Sequence, residues 1–184
     1  MKSDEGMRHI LAFLLDRYEP TDLDEKISKQ RMLVFMKEYE NCFERSLAIG
    51  HFTSSAWLLN CDGTHVLLMH HAKLDKWLQL GGHCDGNSDV LAVAIKEAQE
   101  ESGIENIVPV SENIFDIGVH EIPARGNCPT HDHYDVRFLL QVVGDGSIVQ
   151  NRESKELRWF GKNLNELPNQ DRSVVRMFEK WINW

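Results

Sequence analysis

The sequence predicts an α/β chain, with a helical segment over residues 1–45 followed by a domain over residues 46–184 that mixes short strands with two further helices. Three observations lead there. Apolar residues before position 45 recur at helical spacing, strand-length segments flank Asp62-Gly63 further on, and a capped amphipathic stretch ends at Gly103.

Met7, Ile10, Leu11, Leu14, Leu15 and Tyr18 repeat at i, i+3 and i+4, giving the first helix one apolar stripe that Pro20 closes. A second helix is expected from Thr21 or Asp22, with Ile27, Met32, Phe35, Met36, Tyr39 and Phe43 on its buried side. Two short helices cannot bury such stripes alone, so they are expected to cover a flank of the next domain or the same surface of a second subunit. Residues 52–59 and 65–70 read as strands around a hairpin turn at Asn60-Cys61-Asp62-Gly63-Thr64. Residues 77–80 form a short strand leading into a glycine loop, Gly81-Gly82. The helix that follows takes Asn87 or Ser88 as its cap, buries Val90, Leu91, Ala94, Ile95 and Ala98, and stops at Gly103. Strands are expected at residues 114–121, 135–143 and 157–160. A last helix runs from about Asp171, with Val174, Val175, Phe178, Trp181 and Ile182 inward.

With 29 acidic against 20 basic residues the chain carries a formal charge of −9, which argues against binding to a nucleic-acid backbone or an anionic membrane. The length of 184 residues suits one domain with an extension. Cys42, Cys61, Cys84 and Cys128 lie far apart and read as free thiols of a reducing cytoplasm. The apolar run over residues 10–15 stops at Asp16 and fits neither a signal peptide nor a membrane span.

Chemistry concentrates behind the double glycine. Glu97, Glu100 and Glu101 fall at i, i+3 and i+4, which places three carboxylates on one helix face. Like charges this close repel, and a hard divalent cation with oxygen ligands is the simplest partner that would hold them together. The competing reading is a solvated glutamate-rich face, since glutamate is a good helix former.

The segment from Gly82 to Ile104, GHCDGNSDVLAVAIKEAQEESGI, resembles the Nudix box, G-x5-E-x7-R-E-U-x-E-E-x-G-U with U aliphatic. Gly82, Glu97, Ala98, Glu100, Glu101, Gly103 and Ile104 meet the pattern. Ser88 stands where it has glutamate and Lys96 where it has arginine. The resemblance implies an α/β/α sandwich around a mixed β-sheet. It also implies hydrolysis of a pyrophosphate bond in a small diphosphate, a nucleoside diphosphate linked to another moiety. Magnesium or manganese would be held by Glu97, Glu100 and Glu101 with the carbonyl of Gly81. Glu97 and Glu100 are the implied catalytic residues of the box. Glu153 resembles an acid that some relatives supply from outside it, as ligand or general base, a role open also to Glu156, Glu121 or a box glutamate. In the family the first glutamate and the arginine brace one another. Losing both leaves no unpaired charge, and Lys96 is expected to turn to Asp85 or Asp89. Two rival readings keep the fold: a ligand-binding module with reduced catalysis, and an isopentenyl-diphosphate-isomerase-like enzyme using Cys84. A homodimer fits the exposed stripes of the helical pair.

A second group of candidates is THDHYDVRF, residues 130–138. On a strand His131, His133 and Asp135 share one face, while Asp132 and Tyr134 share the other. Two imidazoles and a carboxylate at this spacing can ligate a transition metal; structural, hydrogen-bonded histidines are the competing reading. His83 and His120 would extend a histidine-lined pocket, and His83, His133, Tyr134 and Arg137 are the candidate substrate contacts. Arg125 and Arg137 suit a phosphate clamp or an ordinary ion pair. Trp57, Trp77 and Phe138 suit a base-stacking platform or the core. P-loop, dinucleotide-fold and serine-hydrolase motifs do not occur.

Overall fold

The computed structural model of the chain describes residues 4–150, 152 and 154–184. Helices α1 (Asp4–Arg17) and α2 (Leu23–Glu38) precede strands β1 (Gly50–Leu59), β2 (His65–His71), β3 (Lys76–Leu78) and β4 (Leu80–His83). Helix α3 (Val90–Ser102) then leads to β5 (Ile107–Pro109), β6 (Asp116–Ile122), β7 (His131–Val142) and β8 (Ser154–Gly161). A single 3-10 turn, Leu164–Glu166, precedes α4 (Arg172–Ile182).

The sheet is organised around β1 and β7, which run parallel from Gly50 opposite Asp132 to Leu59 opposite Gln141. On the far edge of β1, antiparallel β4 covers residues 53–56 and β2 covers 58–59. On the far edge of β7, β6 covers residues 131–137 and β5 covers 140–142. β2 continues into pairs with β3 and β8.

Alternation along the central strands feeds two cores. Phe52, Ala56 and Leu58 of β1 pack with Leu11, Leu15, Met32, Phe35, Ala94 and Ala98, beneath α1, α2 and α3. Trp57 and Leu59 pack with Phe160, Phe178 and Trp181, beneath α4. The result is the expected α/β/α sandwich around a mixed sheet, and the N-terminal helices contribute to its larger core. No helix of the described residues is long and apolar enough to cross a membrane.

Local differences from the sequence reading have physical causes. The double glycine belongs to strand β4 rather than to a loop, because it pairs with Ser54 and Ser55. Asp89, not Asn87 or Ser88, caps α3, accepting the Ala92 N–H at 3.1 Å. β7 begins at His131, four residues before its expected start, since its polar first turn is paired on both edges by β1 and β6. β8 likewise starts at Ser154, and β5, whose three residues carry too little pattern to read, was not expected. α2 ends at Glu38, so the buried Phe43 packs from the following turn. Ile27 and Ile182 are exposed, whereas Arg176 and Met177 are the buried residues of α4 alongside Val174, Phe178 and Trp181.

The buried Arg176 belongs to an ion network between the layers. Asp116 is fully buried and accepts four hydrogen bonds: from Arg137 at 2.7 Å, from Arg176 at 2.9 Å twice, and from Lys180 at 2.9 Å. Lys180 also pairs with the buried Glu25 of α2, which Tyr18 and Thr21 hydrogen-bond as well. Burial alone would raise the pKa of Asp116, but the Arg176 hydrogen bonds and the charges of Arg137 and Lys180 hold it well below the usual carboxylate range. Asp116→Asn is expected to lower the unfolding free energy by about 3–5 kcal/mol, because it strands buried cations; urea denaturation measures this. The depressed folded pKa makes Asp116's contribution complete above the unfolded carboxylate value of about 4 and lost as pH falls below it. Denaturation across an acid series should therefore show wild-type stability draining away below about pH 4, and the variant losing less there.

Candidate functional site

Two of the three helix glutamates, Glu97 and Glu101, meet the sheet at the double glycine. Glu101 is buried, and its Oε2 accepts the Gly81 N–H at 2.9 Å. Glu97, with 19 % of its side chain exposed, lays its carboxylate over the Cα of Gly82, where a Cβ would lie 2.6 Å from the Glu97 Cδ. Glu100 is open, 58 % exposed. Lys96 Nζ bridges the two, 2.8 Å from Glu100 Oε2 and 3.2 Å from Glu97 Oε1.

Lys96 thus takes neither Asp85 nor Asp89. Asp85 is bound by Arg45 through contacts of 2.5 and 2.6 Å, and Asp89 is spent on the helix cap. With a serine at position 88, the lysine turns to the acids one and four residues after it.

Gly81 is constrained by backbone, since a Cβ there would lie 2.6 Å from the Ser54 carbonyl oxygen and 2.7 Å from the Ser55 Cα. The two glycines therefore have different duties. Gly81 lets β4 close on β1, and Gly82 gives the Glu97 carboxylate its seat.

One residue beyond, His83 joins a second polar cluster with His51 of β1, His120 of β6, and His131 and His133 of β7. Neighbouring ring centroids in it are 4.9 to 5.6 Å apart. His131 Nε2 lies 3.2 Å from His133 Nε2, and His131 Nδ1 lies 2.9 Å from the Pro129 carbonyl. Burial, followed by repulsion from His83 and His131, lowers the pKa of His51 to about 4. Burial, followed by repulsion from His83, His120, His51 and His131, lowers that of His133 to about 2. Burial also lowers that of His83, and crowding by neighbouring protein groups lowers that of His120, although its side chain keeps an exposed edge. Rings shifted this way are neutral at pH 7 and offer lone pairs.

Asp135 does not complete a His-His-Asp set. It accepts from Thr53 at 3.0 Å, Ser55 at 2.7 Å and Arg137 at 2.7 Å, deeper along the same face. Arg137, a candidate substrate contact, is buried between Asp135 and Asp116 and turns no donor toward a cleft. Tyr134 lies on the opposite face of β7, stacked on Phe35 with centroids 4.0 Å apart. Of the four candidate contacts, His83 and His133 come together; Tyr134 and Arg137 do not join them.

Trp57 and Phe138 are fully buried core residues. Trp77 is partly covered, stacked by His70 with Arg158 over its ring. Arg125 lies in an exposed turn, Glu121 is exposed, and Glu156 pairs with Arg158. Glu153 lies outside the described residues. His51 was missed by sequence reasoning. Its signal was the alternation His51, Thr53, Ser55, which gives β1 a polar edge facing that of β7.

A family model described as the NUDIX domain matches residues 51–180, well over half of the chain. Comparison with curated proteins gave no match. Among solved structures the chain is similar to a NUDIX-family hydrolase from Clostridium perfringens, with 26 % identity, TM-score 0.54, and coverage of 72 % of this chain and 97 % of that one. It is similar in fold to the MutT protein of Methanosarcina mazei, with 19 % identity, TM-score 0.58, and coverage of 74 % and 96 %. A C. elegans Ap4A hydrolase shares the fold at 16 % identity and TM-score 0.57, with coverage of 72 % and 95 %.

The two glycines should separate by experiment. Gly81→Ala meets backbone and is expected to lower stability by about 1–3 kcal/mol in thermal or urea denaturation. Gly82→Ala meets the movable end of a side chain and is expected to stay within about 1 kcal/mol of wild type while displacing Glu97.

Proposed function

The chain belongs to the Nudix family of pyrophosphohydrolases, and on that footing we propose that it hydrolyses, with a divalent metal, the pyrophosphate bond of a nucleoside diphosphate linked to another moiety. The observation that carries this reading is the convergence of Glu97 and Glu101 on Gly82 and Gly81, with Glu100 beside them.

The donor set fits magnesium or manganese. Its side-chain atoms are hard carboxylate oxygens, its charges repel unless a cation lies among them, and Lys96 already supplies one positive charge there. Glu97, Glu100 and Glu101, with the Gly81 carbonyl, would hold the ion. Bound there, it supplies charge neutralisation at the diphosphate oxygens and a more acidic water.

The protein's own groups divide the remaining work. Glu101 is fixed by the Gly81 N–H and keeps the helix face aligned with the strand. Glu97 is held against Gly82 and points its carboxylate to the same spot. Glu100 faces solvent and is the box residue best placed to take a proton from water. Glu153 remains a candidate base on sequence grounds.

Cys84 is buried in the core beneath α1–α3, and burial pushes its thiol pKa up, which argues against the proton-transfer role that an isomerase-like reaction would give it. The net charge of −9 favours a small metal-complexed diphosphate over a polynucleotide. The four free cysteines suit a reducing cytoplasm.

Purified protein with magnesium or manganese should release phosphate from a member of a diphosphate panel when phosphatase is added. Glu100→Gln and Glu101→Gln are each expected to cut turnover by about a hundredfold or more with the circular dichroism spectrum unchanged. Near-normal rates in both variants would reject the reading.

A further inference from the structure

We propose that His51, His131 and His133 form a binding site for a zinc-like transition metal ion, built from different residues than the helix carboxylates and leaving one coordination position open. One potential ligand atom from each of the three lies within 4.8 Å of the others. The closest pair, the Nε2 atoms of His131 and His133, are 3.2 Å apart. Two nitrogens bound tetrahedrally to zinc at its usual bond length would be about 3.3 Å apart.

The ring orientations agree. His131 Nδ1 faces the Pro129 carbonyl at 2.9 Å, and a proton held there leaves the Nε2 lone pair directed at His133. Backbone carbonyls commonly orient metal-ligating histidines in this way. Cys128 Sγ lies 3.6 Å from the Nδ1 of His131, away from its Nε2, and is not part of the set.

His51 supplies the independent observation. It is 3 % exposed, and neither ring nitrogen has a hydrogen-bond partner. The Leu47 carbonyl near it already accepts the Gly50 N–H and does not meet hydrogen-bond geometry with the ring. Buried polar groups are normally satisfied. A metal-free hydrogen bond between His133 and His131 would explain their short contact but would leave His51 without a partner. A shared ion would engage one nitrogen of each ring, including one of the two that His51 otherwise leaves unpartnered.

The framework suits such a site. His51 and His133 are directly opposite each other on the paired central strands, and His131 is one step along the same face. An all-nitrogen imidazole set selects zinc, cobalt or nickel over magnesium. His83, with its ring centroid 5.1 Å from that of His51 and 5.0 Å from that of His133, borders the open position.

The test uses metal-stripped full-length protein, titrated with zinc in excess magnesium and followed by metal analysis and thermal shift; cobalt absorption reports the geometry. Wild type and the Glu100→Gln, Glu101→Gln double variant are both expected to take up a single zinc and to give the intense visible cobalt band of tetrahedral ligation. His51→Ala and His133→Ala are expected to weaken zinc binding at least about a hundredfold. Absence of zinc uptake by wild type, equal uptake by both histidine variants, or loss of uptake in the carboxylate variant would overturn the proposal. If the histidine variants fail to fold, the cobalt spectra of the wild type and the carboxylate variant decide. A weak octahedral band refutes the site, and an intense band in both proteins supports it. Failure of the hydrolase reading would appear in turnover alone and leave these outcomes unchanged.

Discussion

The Asp116 carboxylate, enclosed by Arg137, Arg176 and Lys180, is the contact on which the rest of the arrangement depends. Burying a charge costs several kcal/mol unless partners replace its water. Here each oxygen accepts two hydrogen bonds, so the cost is offset only when three elements are in place together: β6 with Asp116, β7 with Arg137 and α4 with Arg176 and Lys180. Glu25 extends the requirement to α2 through Lys180, and Asp135 extends it to β1 through Thr53 and Ser55. The helical segment before residue 45 is therefore joined to the sheet by charge as well as by apolar packing, and a displacement of α2 or α4 would leave unpaired ions inside the protein.

The helix glutamates present the opposite problem. Three like charges within about one turn destabilise a helix unless each is satisfied separately. Glu101 is satisfied by the Gly81 N–H, and Glu97 and Glu100 by one lysine on the same helix; the close approach of the Gly81-Gly82 strand is what lets Glu101 reach the backbone and Glu97 lie over a bare Cα. Lysine suits this place better than the arginine of the family pattern would without its glutamate partner. It is a compact charge on a flexible stem and can bridge two acids, whereas a guanidinium prefers a planar two-pronged partner.

Much of this was legible in the sequence because periodic burial imposes it. The stripes of α1, α3 and α4, the hairpin turn and the box spacing each follow from local chemistry, and α/β class followed from their order. The polar network was not legible. Asp116, Arg137 and Arg176 are separated by 21 and 60 residues in their bonded pairs, and no local pattern marks such partners. Arg137 looked like a phosphate ligand for the same reason, since a lone arginine on a strand shows its charge but not its counter-ion. The sequence reading places the start of β7 at Asp135 because a strand paired on both edges tolerates the polar run His131-Asp132-His133, which has the alternation of a strand but no apolar face to mark its beginning. His51 escaped because its neighbours in space come from β4 and β7, although the spacing of His131 and His133 had already marked half of the cluster.

Strand β4 connects these features. Within four residues it offers a backbone N–H to Glu101, a bare Cα to Glu97 and an imidazole to the histidine cluster. Its register on β1, Ser55 opposite Gly81 and Thr53 opposite His83, decides all three at once. A slip of one residue would turn every side chain to the other face, placing Leu80 among the polar groups and His83 in the core. The strand that β4 pairs with is itself anchored: Thr53 and Ser55, the residues opposite His83 and Gly81, are both hydrogen-bonded to Asp135 of β7, and Asp135 is held by Arg137. The buried ions thus tie β1 to β7, the pair of strands that carries His51, His131 and His133 and along which β4 is laid with its glycines toward the helix carboxylates.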